Sequence, residues 1–209
     1  MDEYEYDWFE CDEELGEVQH VFIVALRARA LTWAADPVDS RLVPPERGYP
    51  FVACLNIDAP QENFVLLTVG VHLEGHRLRG DRLHHQDFTL PEVPTSLAME
   101  VSGSPEELAE QAADWFEAII SRPVVRYEWL HAGQVYASRY LFPDTGEGLS
   151  QMYNRELAPP GQQDRLLAAG HFTGRGWIDT RGLGEPDRVA HVRGRHDPPS
   201  KPWHVNRVA

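Results

Sequence analysis

Six residues near the middle of the chain have the side chains for metal chemistry: His72, Glu74, His76, His84, His85 and Asp87. Imidazole nitrogens and carboxylate oxygens ligate zinc and other divalent ions, and an ion with an open position acts as a Lewis acid. The chemistry requires convergence. A hairpin turning on Gly80 and Asp81 would set His76 opposite His85 and Glu74 opposite Asp87. His72 would lie on the same side, because strand side chains alternate with period two. On that register the candidate metal site is His72, Glu74, His76, His85 and Asp87; a turn at Gly75 would scatter it. The plainer reading of the same residues is a solvated polar sheet face.

No other constellation carries chemistry. A Gly-x-Ser-x-Gly elbow is absent, and Ser102 and Ser104 belong to a helix start. Cys11 lies among carboxylates that would raise its pKa instead of activating it. Gly174, Gly176, Gly182 and Gly184 are followed or interrupted by strand-like residues, so they read as turns and not as a phosphate loop. Arg79-Gly80-Asp81 reads as a hairpin turn. His191, His196 and Asp197 stand among Arg193 and Arg195 and read as a solvated end. No motif implies a cofactor, and no catalytic residue is assigned.

The N-terminal segment offers a binding element instead. Tyr4, Tyr6, Trp8 and Phe9 alternate with acids, and with Glu13 and Glu14 they form a candidate partner-binding motif; the alternative is a mobile acidic tail over residues 1–14. Residues 1–19 carry nine carboxylates and no Lys or Arg, and the whole chain has a net charge of −14. That charge disfavours nucleic acid as a ligand and favours a basic protein partner. The acidic start lacks the basic region of a signal peptide, and the apolar run from Val21 ends at Arg27, so a cytoplasmic protein without membrane insertion is expected. Lys201 is the only lysine beside 18 arginines. Codon usage explains that bias without a functional role.

The elements that would position these residues suggest an α+β protein. Residues 15–35 fit either a helix, on Leu15, Val18, Phe22, Ala25 and Ala28, or a strand, on Val21, Ile23 and Val24; their Ala and Leu content favours the helix. A proline-rich loop runs from Pro37 to Pro50. Strands are predicted over 51–57, 64–71 and 83–90. The clearest element is an amphipathic helix over 105–121. Ser104 caps it, Glu107 completes a capping box, and Trp115 and Phe116 lie on the apolar face. A hairpin of 124–131 and 135–142 follows, then helical turns near 149–157 and 164–169. The expected fold is an antiparallel sheet of about five or more strands with helix 105–121 packed on one face and an N-terminal helix. It forms one domain over 15–193 with an irregular tail over 194–209.

The order helix, three strands, helix, two strands over about 15–160 resembles class I secretion chaperones and related small α+β adaptors. The resemblance implies an acidic adaptor that is often dimeric, hence a homodimer as one form. Composition and resemblance together point to a non-enzymatic, chaperone-like or immunity-type protein that binds a basic partner. The alternative is a metal-dependent enzyme using the His and carboxylate cluster.

Overall fold

The computed structural model describes residues 8–10, 14–35, 38–45, 49–60, 64–84, 86–173 and 177–194. They form two compact units, one running to Arg122 and taking in Gly194, the other Pro123–Arg193. The fold is mixed α+β, with antiparallel sheets of five and four strands. No helix among the described residues is long and apolar enough to cross a membrane.

The first unit opens with α1 (Glu17–Ala30), which buries Phe22, Ile23, Leu26 and Ala30. Residues 15–35 therefore hold the helix favoured by their Ala and Leu content, but with the buried face rotated away from Ala28. Five strands follow, β1 (Asp39–Val43), β2 (Phe51–Ala59), β3 (Phe64–Glu74), β4 (Arg77–Arg82) and β5 (Met99–Ser102), hydrogen-bonded in that order. Three of them differ from expectation, β4 because it runs through Arg79-Gly80-Asp81, read as a turn. β1 lies inside the stretch read as a proline-rich loop, and β5 replaces the strand expected over 83–90. Leu83 still donates its N–H to Thr68 O at 2.8 Å. Beyond it the chain turns on itself, with Phe88 N–H donating to His84 O at 2.8 Å and Phe88 at φ +49°.

Alternation along β2 sorts the sheet into two faces. Phe51, Ala53, Leu55 and Ile57 are buried on the face where Phe51 meets Phe22 of α1, ring centroids 6.3 Å apart. On the other face Val52, Cys54 and Leu83 are buried, with Phe88 and Leu90 packed against them. α2 (Pro105–Ile120) has the expected capping box: Ser104 Oγ accepts from Glu107 N–H, and the Glu107 carboxylate accepts from Ser104 N–H at 2.8 Å. Its apolar face buries Leu108, Ala112, Trp115, Phe116 and Ile119, and the Trp115 indole donates to Leu97 O at 2.8 Å.

The second unit holds β6 (Val124–His131), β7 (Gln134–Phe142) and β8 (Glu147–Tyr153), then α3 (Gln162–Ala168), the short strands β9 (Phe172–Thr173) and β10 (Trp177–Ile178), a 3-10 turn over Thr180–Leu183, and β11 (Arg188–Arg193). The four long strands pair in the order β11-β6-β7-β8. The hairpin expected from residues 124 to 142 is present, turning on Ala132 and Gly133, both at positive φ as a two-residue turn requires. Residues near 149–157, read as helical turns, instead begin as edge strand β8. β11 was not anticipated. On one face of this sheet Trp129, Tyr136 and Ala137 form a core with Tyr127 and Tyr153 around it.

Five strands separate α1 from α2, where the likeness to secretion chaperones rests on three. The element order that suggested that likeness is therefore not the one observed.

Candidate functional site

The hairpin that was to assemble a metal site turns five residues earlier than expected. Glu74 pairs with Arg77 and His72 with Arg79, so the turn is Gly75-His76, with Gly75 at φ +59° and open space where a Cβ would stand. Gly80 and Asp81 are mid-strand. A Cβ on Gly80 would come within 2.7 Å of Met99 Cγ, so the glycine there admits a neighbour and makes no turn. Asp81, read as a turn residue, is buried and accepts hydrogen bonds from Thr95 N–H at 2.8 Å and from the Thr95 hydroxyl, tying residues 83–98 to the sheet.

Three of the five candidate ligands have separate engagements. His72 is buried, and its Nε2–H donates to Phe88 O at 2.7 Å, since a carbonyl can only accept. Burial holds its pKa below the usual imidazole value. Glu74 pairs with Arg79 at 2.8 Å. His76 reaches Gly103 O at 3.3 Å, at the hairpin tip. Asp87 and His84 are exposed, and His85 lies outside the described residues. Among the described residues no three His, Cys, Asp or Glu side chains are grouped as metal ligands.

The structure describes two of the four rings of the aromatic motif. Phe9 is fully buried and Trp8 is 7% exposed. Phe9 packs on Phe116 at 5.7 Å between centroids, and Trp8 stands edge-on to Trp33 at 4.7 Å. The backbone of Phe9 is also held: its N–H donates to Ser40 Oγ at 2.8 Å and its carbonyl accepts from Arg27. These two rings belong to the core of the first unit, because an aromatic gains more by leaving water than an acidic neighbourhood costs. Glu14 is exposed; Tyr4, Tyr6 and Glu13 lie outside the described residues.

A concave site does exist in the second unit. Arg139, Ile178, Asp179, Thr180 and Arg181 face the β8 segment of Gly148, Ser150 and Gln151, with Gly146 at one end, around a groove of about 540 Å3. The Arg139 guanidinium donates to Thr180 Oγ1 at 2.9 Å and to Gly146 O at 3.1 Å. A Cβ on Gly148 would sit 2.9 Å from Arg139 Nη2, so a glycine there lets the guanidinium lie against β8. Opposite, Asp179 takes both Nε and Nη2 of Arg181, and His171 Nδ1 stands 3.5 Å from its Oδ2. The Arg181 hydrogen bonds hold the Asp179 carboxyl well below the usual carboxylate range.

No family model, curated protein or solved structure matches this chain.

The groove residues went unnoticed in the sequence. Arg139 is one of 18 arginines, and Asp179 follows a glycine-rich stretch that reads as turns between short strands. The nearest signal is the pair Gly146 and Gly148, two glycines close beyond an arginine-bearing strand.

Proposed function

We propose that the protein is a non-catalytic, cytoplasmic binding module of the adaptor, chaperone-like or immunity type, and that its N-terminal unit engages a basic protein partner. The observation that carries this reading is the distribution of charge. Residues 1–122 hold 24 carboxylates against eight arginines, whereas residues 123–193 hold eight of each. An excess of one sign on one unit raises the encounter rate with a partner of opposite sign and repels like-charged ones.

A rigid element presents part of that charge. α2 exposes Glu106, Glu107, Glu110 and Asp114 opposite its buried face. Arg29 of α1 offsets two of them, at 2.6 Å from both Glu110 and Asp114, and leaves the N-terminal turn of the helix acidic.

The test is to capture partners from the source cells with the full chain, then measure the affinity of the recombinant partner at low and at moderate salt. The expected partner is basic, and its affinity falls as salt rises, because exposed charges are screened within a Debye length. A neutral or acidic partner, or an affinity indifferent to salt, would remove the basis of this reading.

A further inference from the structure

We propose that the groove of the second unit binds a small oxyanion, a carboxylate or a phosphate, on the guanidinium of Arg139. The proposal is independent of the acidic surface of the first unit and needs no protein partner.

A guanidinium has five N–H donors in a planar fork. Arg139 commits two of them, one to Thr180 Oγ1 and one to Gly146 O. Both acceptors are neutral, and among the described residues no carboxylate pairs with Arg139. The contrast with its neighbours is chemical. On the same sheet Arg126 and Arg188 share the buried carboxylate of Glu128, Arg126 at 2.9 Å from it. Across the groove Arg181 is neutralised by Asp179 at 2.6 Å. Of these four, Arg139 alone has no carboxylate partner among the described residues, in a partly buried position where a lone charge is costly.

The surroundings suit an anion rather than a cation. Among the described lining residues the one carboxylate, Asp179, is occupied on both oxygens by Arg181, so these residues carry one net positive charge in a chain of net charge −14. Gln151 is the cross-strand partner of Arg139, which places a neutral amide donor beside the guanidinium. Thr180 and Gly146 fix the guanidinium from two sides, so little side-chain entropy is lost when a ligand binds. A planar fork with donors to spare is matched by two oxygens of one carboxylate or phosphate, taken side by side. The volume of about 540 Å3 admits a small organic acid or phosphate ester, well short of a folded partner.

The experiment follows the Arg139 Nε–Hε resonance of the 15N-labelled full chain during titration with inorganic phosphate and, separately, with citrate. Sodium chloride at matched ionic strength is the control. A saturable shift with phosphate, citrate or both is expected, and none with chloride; the arm that responds identifies the source of the oxyanion. Gln151→Glu sets a carboxylate beside Arg139 without removing its bonds to Thr180 and Gly146, and is expected to weaken binding at least about tenfold, the value of one charge-assisted contact. Arg155→Gln removes an exposed arginine outside the groove and is expected to leave binding unchanged. Arg139→Gln abolishes it; if that variant does not fold, Gln151→Glu still decides. No saturable shift with either oxyanion across the millimolar range, or equal binding by Gln151→Glu, overturns the proposal.

Discussion

Phe9 sits at φ +57°, in the left-handed region that a side-chain-bearing residue enters at a cost of roughly 1 kcal/mol or more. The fold offsets that cost by burying the ring completely against Phe116 and Trp33 and by holding both backbone polar groups. Phe9→Ala is therefore expected to destabilise the protein by about 3–5 kcal/mol, and Trp115→Ala by a similar amount, as large core truncations do. Glu106→Ala, on the exposed side of α2, is expected to leave chemical denaturation midpoints unchanged. The two aromatics differ in how far they could be read beforehand. Trp115 is legible because Leu108, Ala112 and Phe116 share its helical face. Phe9 is not, because no periodicity surrounds it and acids on both sides mark the segment as solvated. His72 has a consequence of its own. Its folded pKa is lowered by burial, so the unfolded chain takes up the proton first as pH falls. Stability is then full above the unfolded value of about 6.5 and declines as pH drops below it. Melts between pH 7.5 and 5 are expected to show this decline in the wild type and a smaller one in His72→Gln; an equal decline in both would assign it to other groups.

The elements most easily read are those with a buried face and a chemical signal at each end. α2 has a complete capping box, and Ser104→Ala is expected to cost about 1 kcal/mol, measured by denaturant unfolding, because it leaves Glu107 N–H without its acceptor. The hairpin of β6 and β7 was equally clear from its Ala132-Gly133 turn. β1, β5, β8 and β11 were not, and the reason is common to them. Each is an edge strand of its sheet, with sequences such as Asp-Ser-Arg-Leu-Val that carry little alternation because few of their side chains are buried. The central hairpin failed for another reason. Gly75 and Gly80 both satisfy a turn on local chemistry, and only packing against Met99 decides that Gly80 stays in the strand. That five-residue displacement of the turn separated the proposed metal ligands. The groove on β7 and β8 was illegible for the same class of reason, since Arg139 and Thr180 lie 41 residues apart and meet only through tertiary structure.

At the scale of the whole molecule, the N-terminal segment combines buried rings with acids proposed for recognition, and its deletion would remove both. Residues 1–10 include five carboxylates, Asp2, Glu3, Glu5, Asp7 and Glu10, together with the buried rings of Trp8 and Phe9. A docking tail could be deleted without structural loss, whereas a segment that closes the core cannot. Deleting residues 1–10 is accordingly expected to lower the melting temperature by several degrees or to prevent folding of the first unit, with near-ultraviolet circular dichroism reporting the lost packing of Trp33 and Phe116. Replacing the same five carboxylates by their amides, with Trp8 and Phe9 retained, separates the roles. That variant is expected to keep its aromatic signal and to bind a basic partner more weakly, with a shallower dependence on salt, because it removes five of the 24 carboxylates of residues 1–122 and no buried ring. If the amide variant instead lost the aromatic signal while the deletion kept it, the segment would act on the fold through its charge, and Trp8 and Phe9 would not be anchors. If the amide variant folded and bound its partner unchanged at every salt concentration, the N-terminal acids would have no part in recognition, and the exposed face of α2 would be the next surface to neutralise.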